Sequence, residues 1–277
     1  SSWHCLFPNA LGSRSLESKS SVEEQSSKSQ LHHTMLNTIM ARTSCQFHWF
    51  NQGFKDFSHY LEKFTSRKRK NLKKERSRLQ ESGFIFHKKV ANQITPSDIE
   101  NFYHCYQLTY AKRNMQGYLT LDFFLTLLAT IPDQLLLVQA QYKNIDYDNE
   151  DLNIKTVANA LFFKDDDHLY GRYWGCLEEF DSLHFECCYY QGIDYCIENN
   201  IDHFDPGTQG EHKISRGFEP TICHSQHWIA HPGFSEAIQN FLNEEQSHIN
   251  NYAIQASQHL PFKQSNTSSI RNNTHYD

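Results

Sequence analysis

Long apolar runs are missing from this sequence, and so is the pattern of a cleaved export signal. The most apolar stretch, FFLTLLATIPDQLLLVQA, is interrupted by Pro132 and Asp133, whereas a membrane-spanning helix needs about 18 or more consecutive apolar residues. The first residues, SSWHCLFPNALGS, contain no basic segment followed by an apolar one, and no initiating Met. We therefore expect no membrane span, a cytoplasmic protein, and further residues before Ser1.

Paired C-x-x-C motifs are also missing, although the chain contains eight cysteines. Cysteines that are spread over a long chain without an export signal predict reduced, buried thiols rather than disulfides. CHSQH, with Cys223, His224 and His227, and the adjacent Cys187 and Cys188 offer soft ligands, but their spacing is not that of a tetrahedral zinc site. We expect no metal site.

Glycine is scarce, with 11 among 277 residues, yet three of them lie within the stretch FDPGTQGEHKISRGFEP. Glycine permits positive φ and lets backbone N–H groups approach a ligand closely. Lys213 and Arg216 in the same stretch supply positive charge for a phosphate, a carboxylate or a developing oxyanion. The predicted ligand-binding residues of this loop are Gly207, Gln209, Gly210 and Arg216.

A basic run, SRKRKNLKKERSRL, stands out in an acidic chain. Between Ser66 and Arg78 it holds eight Lys or Arg and one Glu, a net charge of +7, which leaves −13 for the rest of a chain whose total is −6. One interpretation is a solvated helix that links two packed units. The other is a phosphate-contacting surface. In that case the phosphate-binding residues are Arg67, Lys68, Arg69 and Lys70.

From Gly83 onward the sequence alternates between strand and helix patterns. FIFHKKV, LLLVQAQY, TVANALFFK, DHLYGRYWG and IDHFD are predicted strands. Helices are predicted after a Thr95 cap with Pro96 in the first turn, over LTLDFFLTLLATI, and from Leu183 to Asn199. Because a crossover helix joins DHLYGRYWG to IDHFD, these strands should be parallel in a mixed α/β (α+β) sheet, with ligands bound beyond their carboxyl ends.

Several longer strings resemble a known bacterial family. RYWGC, LHFECCYYQGIDYCIENNIDHFDPGTQGEHKISRGFEPT and FSEAIQNFLNEE are similar to FemAB-like proteins of peptidoglycan biosynthesis or recognition, a branch of the GNAT N-acyltransferase superfamily, over about Cys45 to Glu245. The resemblance implies a GNAT-like N-acyltransferase fold. Its segments would be residues 1–65, the end of a truncated first GNAT-like half with a flexible insertion at about 12–34; residues 66–82, a basic linking helix; residues 83–250, a complete GNAT-like domain; and residues 251–277, a flexible tail.

The same resemblance implies transfer of an aminoacyl or acyl group onto an amine of a cell-wall precursor or small peptide. The donor would be aminoacyl-tRNA or acyl-CoA, and the partners would include tRNA or a nucleotide-linked cell-wall precursor. Two alternatives are a CoA-dependent N-acetyltransferase and a non-catalytic module that binds an anionic glycopeptide or nucleic acid. The segment CLEEFDS, with Glu178, Glu179 and Asp181, occupies the place where related acetyltransferases bind a pyrophosphate. Its carboxylates argue against coenzyme A.

Amide formation needs a base for the attacking amine and a donor for the oxyanion. Lys213 is the candidate oxyanion donor, and Glu186, His184 and His212 are the candidate bases. Glu186 and His184 also fit the first turn of a helix, where they need no catalytic role. The aromatic residues Tyr190 and Tyr173 are predicted to line the acceptor pocket, although most aromatic residues of such a chain belong to the core.

Overall fold

The structure is a computed structural model that describes residues 2–7, 39–145, 152–208 and 210–263. The chain forms two compact units, and each is built from separate stretches of sequence. The first unit contains Ser1–Phe47, Thr208–Ile214 and Glu219–Leu260, and the second contains His48–Gly207, Ser215–Phe218 and Pro261–Asp277. This division differs from the four consecutive segments predicted from the sequence. The insertion predicted at about residues 12–34 lies outside the described residues.

Strands and helices follow one another in the order expected from the alternating patterns. The strands are β1 (Ser2–Phe7), β2 (Met40–Phe50), β3 (Phe84–Val90), β4 (Leu135–Ile145), β5 (Leu152–Lys164), β6 (His168–Cys176), β7 (His203–Asp205) and β8 (Glu219–Ile229). The helices are α1 (Phe57–Leu61), α2 (Ser66–Glu81), α3 (Pro96–Ala111), α4 (Leu121–Thr130), α5 (Leu183–Phe185), α6 (Gln191–Asn199) and α7 (Pro232–Ser257). A π-helix, Glu186–Tyr190, joins α5 to α6.

The second unit contains a mixed sheet in the order β7, β6, β5, β4, β3. The last residues of β2 pair with β7, so that Trp49 lies opposite Phe204. The β6–β7 pair is parallel, with Leu169 opposite Phe204, while the neighbouring pairs from β6 to β3 are antiparallel. The predicted α/β sheet and the predicted parallel pairing across the crossover helix are therefore confirmed.

Helix α3 begins at the predicted cap and covers the core of the second unit. The Thr95 hydroxyl accepts a hydrogen bond from the Asp98 backbone N–H, and the Asp98 carboxylate accepts one from the Thr95 N–H at 2.9 Å. This capping box satisfies two N–H groups that a helix end leaves unpaired. The apolar face of α3 packs with α4 against β4 and β5. The buried members of this cluster include Ile99, Phe102, Tyr106, Phe124, Leu135, Leu137 and Leu161.

In the first unit, β8 lies between β1 and β2 and is antiparallel to β1. The long helix α7 follows β8 and continues to Ser257. The prediction of a flexible tail from residue 251 is therefore wrong for residues 251–257. One face of this part of the helix is packed, which its polar composition did not indicate. Ala256 is buried, and the Tyr252 ring contacts the Phe47 ring edge to face. None of the helices in the described ranges combines the length and apolar character that crossing a membrane requires.

The predicted crossover helix from Leu183 to Asn199 is present, but it is not regular. A left-handed Ser182, with φ of 66°, precedes it, and the π-helix occupies its first half. A π turn inserts an extra residue into the helix, and such turns are frequent at functional sites. In this chain the π-helix directs Cys188 and Tyr189 to one cleft, while Tyr190 meets α2.

Candidate functional site

The second unit contains a cleft of about 140 Å³ that is open to solvent. Strands β5 and β6 form one wall, where their pairing register shifts between Leu161 and Phe162. The start of the crossover helix forms the other wall, and Pro206 closes one end. The lining residues are Ala160, Leu161, Phe162, Gly171, Arg172, Tyr173, Trp174, His184, Cys188, Tyr189 and Pro206.

The cleft combines aromatic walls with a few polar groups. Its polar side chains are Arg172, Tyr173, His184, Cys188 and Tyr189, together with the Trp174 indole, and no carboxylate is among the described lining residues. The His184 ring packs edge-on against the Trp174 and Tyr189 rings, with centroids 5.4 Å and 5.3 Å away. The Tyr173 ring packs instead against the Tyr106 and Phe124 rings of the α3–α4 cluster, with centroids 5.8 Å and 5.4 Å away, and burial raises its pKa to about 12. Such a site can hold an apolar or planar ligand and exchange protons with it.

A buried ion cluster lies where the π-helix meets α2. Glu186 is 2% exposed, and its carboxylate accepts hydrogen bonds from Arg76 at 2.7 Å and from Gln191 at 2.8 Å. The Arg76 guanidinium also donates to Asp194 at 2.6 Å and lies over the Phe57 ring. Burial raises the pKa of Glu186, and the Arg76 charge opposes that shift. Glu186 is thus held by structural partners and does not line the cleft.

Arg216 belongs to a second buried cluster on the same helices. Its guanidinium donates to the Glu75 carboxylate at 3.0 Å and stacks on the Phe185 ring, with the guanidinium carbon 3.4 Å from the ring centroid. The Tyr190 hydroxyl donates to the same Glu75 carboxylate, and burial raises the Tyr190 pKa. Arg216 and Tyr190 are therefore brought together, as partners of Glu75 rather than as cleft residues.

The glycine-rich loop holds the other predicted site residues. Lys213 lies in the first unit and is 1% exposed, while the adjacent His212 is exposed. At Gly210 φ is 105°, and a Cβ would lie 2.1 Å from the His212 ring. At Gly207 φ is 91°, and its backbone N–H donates to the Asp205 carboxylate at 2.8 Å. Gln209 lies outside the described residues.

Of the predicted substrate-binding and catalytic residues, Tyr173 lines the cleft, together with His184. Arg172 and Cys188 also line it, although neither was predicted to belong to the site. Arg172 lies on β6 and Cys188 lies on the facing π-helix. That both belong to one site can be recognised only after the fold is known. Local sequence does not show which strand faces which helix.

The predicted phosphate-binding residues lie on α2. Leu72 and Leu79 are buried on one face of this helix. Arg67, Lys68 and Lys70 are exposed, and Arg69 is half-buried. The acidic segment after β6 is partly neutralised. Glu179 accepts a hydrogen bond from Lys112 at 3.0 Å, and Asp181 accepts one from Arg78 at 3.2 Å.

Two histidines form a buried pair that no sequence pattern predicted. The rings of His48 and His203 are joined by a 2.8 Å hydrogen bond between His48 Nδ1 and His203 Nε2. His48 Nε2 lies 3.6 Å from the Asp205 carboxylate, and Phe50 stacks on the His203 ring. Burial lowers the pKa of His203 to about 3. Within the described ranges, no group of three or more His, Cys, Asp or Glu side chains is arranged to hold a metal ion.

Comparison with known proteins places this fold among Fem-type structures. A family profile described as FemAB-like, peptidoglycan biosynthesis/recognition, matches residues 1–264. The crystal structure of FemX matches with a TM-score of 0.52 and 10% identity, over 79% of this chain and 72% of that one. At this identity the match shows a shared fold.

Two further structures are similar at lower scores. The C-terminal domain (DUF2156) of a putative lysylphosphatidylglycerol synthetase from Agrobacterium fabrum matches with a TM-score of 0.49 and 10% identity, over 77% of this chain and 68% of that one. L-PGS from Bacillus licheniformis matches with a TM-score of 0.46 and 12% identity, over 78% and 70% of the two chains. A search of curated protein sequences gave no match.

Proposed function

Because the chain belongs to the FemAB-like family of peptidoglycan biosynthesis/recognition, we propose that it is an N-acyltransferase acting on an amine of a cell-wall precursor or small peptide. The observation that carries this proposal is the cleft of the second unit. It sets an imidazole, His184, and a phenol, Tyr189, with ring centroids 5.3 Å apart, in the lining of one solvent-open space of about 140 Å³. These are the two kinds of group that amide formation from an activated acyl donor needs.

In the proposed reaction the amine nitrogen attacks the carbonyl carbon of the donor. His184 in its neutral form accepts the proton that the amine loses, and it returns this proton to the leaving oxygen or sulfur as the bond to the carbonyl carbon breaks. Tyr189 donates a hydrogen bond to the oxyanion of the tetrahedral intermediate. Burial raises the pKa of Tyr189, so the phenol stays protonated for that purpose.

The ion clusters of Glu186 and Arg216 take a supporting role in this proposal. Arg76 of α2 is paired with Glu186 of the π-helix, and Glu75 of α2 is shared by Arg216 and by Tyr190 of the π-helix. The π-helix carries Cys188 and Tyr189 of the cleft. Glu186 and Arg216 would therefore act as positioning residues. No step of the proposed reaction uses Lys213 or His212, which belong to the first unit.

The donor would be aminoacyl-tRNA or acyl-CoA. The acidic segment after β6 weighs less against coenzyme A than its sequence suggested, because Glu179 and Asp181 form ion pairs with Lys112 and Arg78. These carboxylates are nevertheless more than half exposed, and because exposed pairs are weak, the segment still disfavours a pyrophosphate. The aminoacyl donor fits the family context best.

The test is amide formation by the full chain, supplied with mixed aminoacyl-tRNAs and the tripeptide N-acetyl-lysyl-alanyl-alanine, with products detected by mass spectrometry. H184Q should lower the rate by about 10²–10⁴-fold, the usual contribution of a general base. It should also remove the fall in rate that accompanies imidazole protonation at acid pH. H104Q changes an exposed histidine outside the cleft and serves as the matched control.

Two outcomes contradict the proposal. If H184Q turns over at the rate of H104Q, His184 is not the base. If the wild-type chain binds the tripeptide but forms no amide with any donor, including acetyl-CoA, the non-catalytic binding module becomes the better description.

A further inference from the structure

We propose that Arg172 binds a free carboxylate of the substrate, so that the cleft selects a peptide or amino acid that carries an apolar body and one carboxylate group. This inference rests on the proposed function only in treating the cleft as a substrate site. It adds the chemical class of the ligand and the residue that selects it.

The charge of the cleft supports this assignment. Among the described lining residues, Arg172 is the one permanently charged side chain, and none is a carboxylate. Arg172 is exposed, and no described residue accepts a hydrogen bond from its guanidinium or forms an ion pair with it. Arg172 thus belongs to the cleft lining, and a guanidinium without a protein partner is available to a ligand anion.

The other arginines near the crossover helix differ in this respect. The Arg76 guanidinium is neutralised by Glu186 and Asp194, and the Arg216 guanidinium is neutralised by Glu75. Arg76 holds α2 against the π-helix, and Arg216 holds α2 against the loop after β7. The positive charge that was expected from Arg216 is therefore supplied to the cleft by Arg172.

Carboxylate fits this site better than phosphate does. A phosphate group carries a charge of about −1.5 to −2 at neutral pH, and it is usually gripped by several donors at once. A carboxylate carries a single charge, and its two oxygens match two N–H groups of one guanidinium. The aromatic side chains of Trp174 and Tyr189 then provide apolar surface for the rest of the ligand.

The experiment is a binding cycle with two ligands and two proteins, measured by calorimetry. The ligands are N-acetyl-lysyl-alanyl-alanine and its C-terminal amide, and the proteins are the wild-type chain and R172Q. The wild type should bind the acid about 10- to 100-fold more tightly than the amide, as expected for a charged hydrogen-bonded pair. R172Q should bind the two peptides equally. R113Q, an exposed change outside the cleft lining, should retain the wild-type preference.

The inference is overturned if the wild type binds acid and amide equally, if it binds neither, or if R172Q keeps the preference for the acid. It is also overturned if an amide-capped peptide ending in phosphoserine binds more tightly than the acid and loses this advantage in R172Q, since the site would then select phosphate. Because the cycle measures binding, it is independent of turnover. If H184Q forms amide as fast as H104Q, His184 is not the base, but the assignment of Arg172 as the carboxylate-binding residue is unaffected.

Discussion

Because Gly175 has no side chain, the backbone of α3 packs directly against the backbone of β6. A Cβ built on this residue would lie 2.2 Å from the carbonyl carbon and oxygen of Cys105, which are backbone atoms of α3. The neighbouring contacts hold the helix in place, because the Thr109 hydroxyl donates to the Trp174 carbonyl oxygen at 3.2 Å. A side chain at this position can be accommodated only if the helix moves.

We predict that G175A destabilises the fold by about 1–3 kcal/mol, the usual cost of overpacking. Urea unfolding followed by circular dichroism measures the change. G233A is the matched control, because a Cβ there would meet nothing closer than 3.6 Å and the residue lies in the first turn of α7. Equal stability of the two variants would show that α3 shifts without cost.

Helix α2 has two faces with different tasks. Leu72 and Leu79 are buried on its inner face, and Glu75 and Arg76 form ion pairs with the rest of the second unit. Arg67, Lys70 and Lys74, spaced three and four residues apart, are exposed together on the outer face. At a rise of about 1.5 Å per residue, these cations lie about 4.5 and 6 Å apart along the helix axis.

We predict that this outer face binds phosphates of a polyanionic donor. In the triple variant R67Q/K70Q/K74Q, the affinity for bulk tRNA should fall, and the dependence of log K on log salt should become shallower. The slope should decrease by about 0.7–0.9 for each phosphate that the helix no longer neutralises. Filter binding from about 50 to 200 mM salt measures both quantities.

The control for the charge change is K55Q/R113Q/K155Q, which removes three exposed cations elsewhere in the second unit. If both triple variants weaken binding equally, the effect comes from net charge. The basic helix then has only the linking role that its sequence also allows.

At the scale of the whole molecule, local patterns predicted the elements, while the site depended on distant contacts. The strand FIFHKKV coincides with β3, and the Thr95 cap begins α3, because period and capping are properties of neighbouring residues. The burial of Glu186 by Arg76 joins residues 110 positions apart, and no local signal reports such a pair.

At Gly217, too, the local sequence did not indicate the residues that lie next to it in the fold. A side chain at Gly217 would be strained, since φ is 85°. The space beside it is filled by the Tyr60 hydroxyl, 2.2 Å from a built Cβ, and by the Phe64 ring. The glycine that suggested a ligand therefore makes room for the protein's own aromatic residues. Charge and glycine content together indicated the correct region of the chain but not its partners.

The buried pair of His48 and His203 makes folding of this protein a proton-linked equilibrium. In the folded chain the His203 pKa is about 3, lowered by burial and by the neighbouring His48 and His168, with Asp165 acting in the opposite direction. The unfolded residue has an ordinary pKa of about 6.5. Between pH values of about 3 and 6.5, His203 is protonated in the unfolded chain and neutral in the folded chain. Lowering the pH through this range therefore favours unfolding.

The free energy of unfolding should therefore fall as the pH is lowered from about 6.5 toward 3, with His203 contributing a slope of up to about 1.4 kcal/mol per pH unit. H203Q, which keeps a hydrogen-bonding group opposite His48, should lower that slope, whereas the exposed H104Q should not. Urea titrations at successive pH values measure this, and identical slopes for the three proteins would contradict it. This proton uptake acts on the folding equilibrium through residues that do not line the cleft.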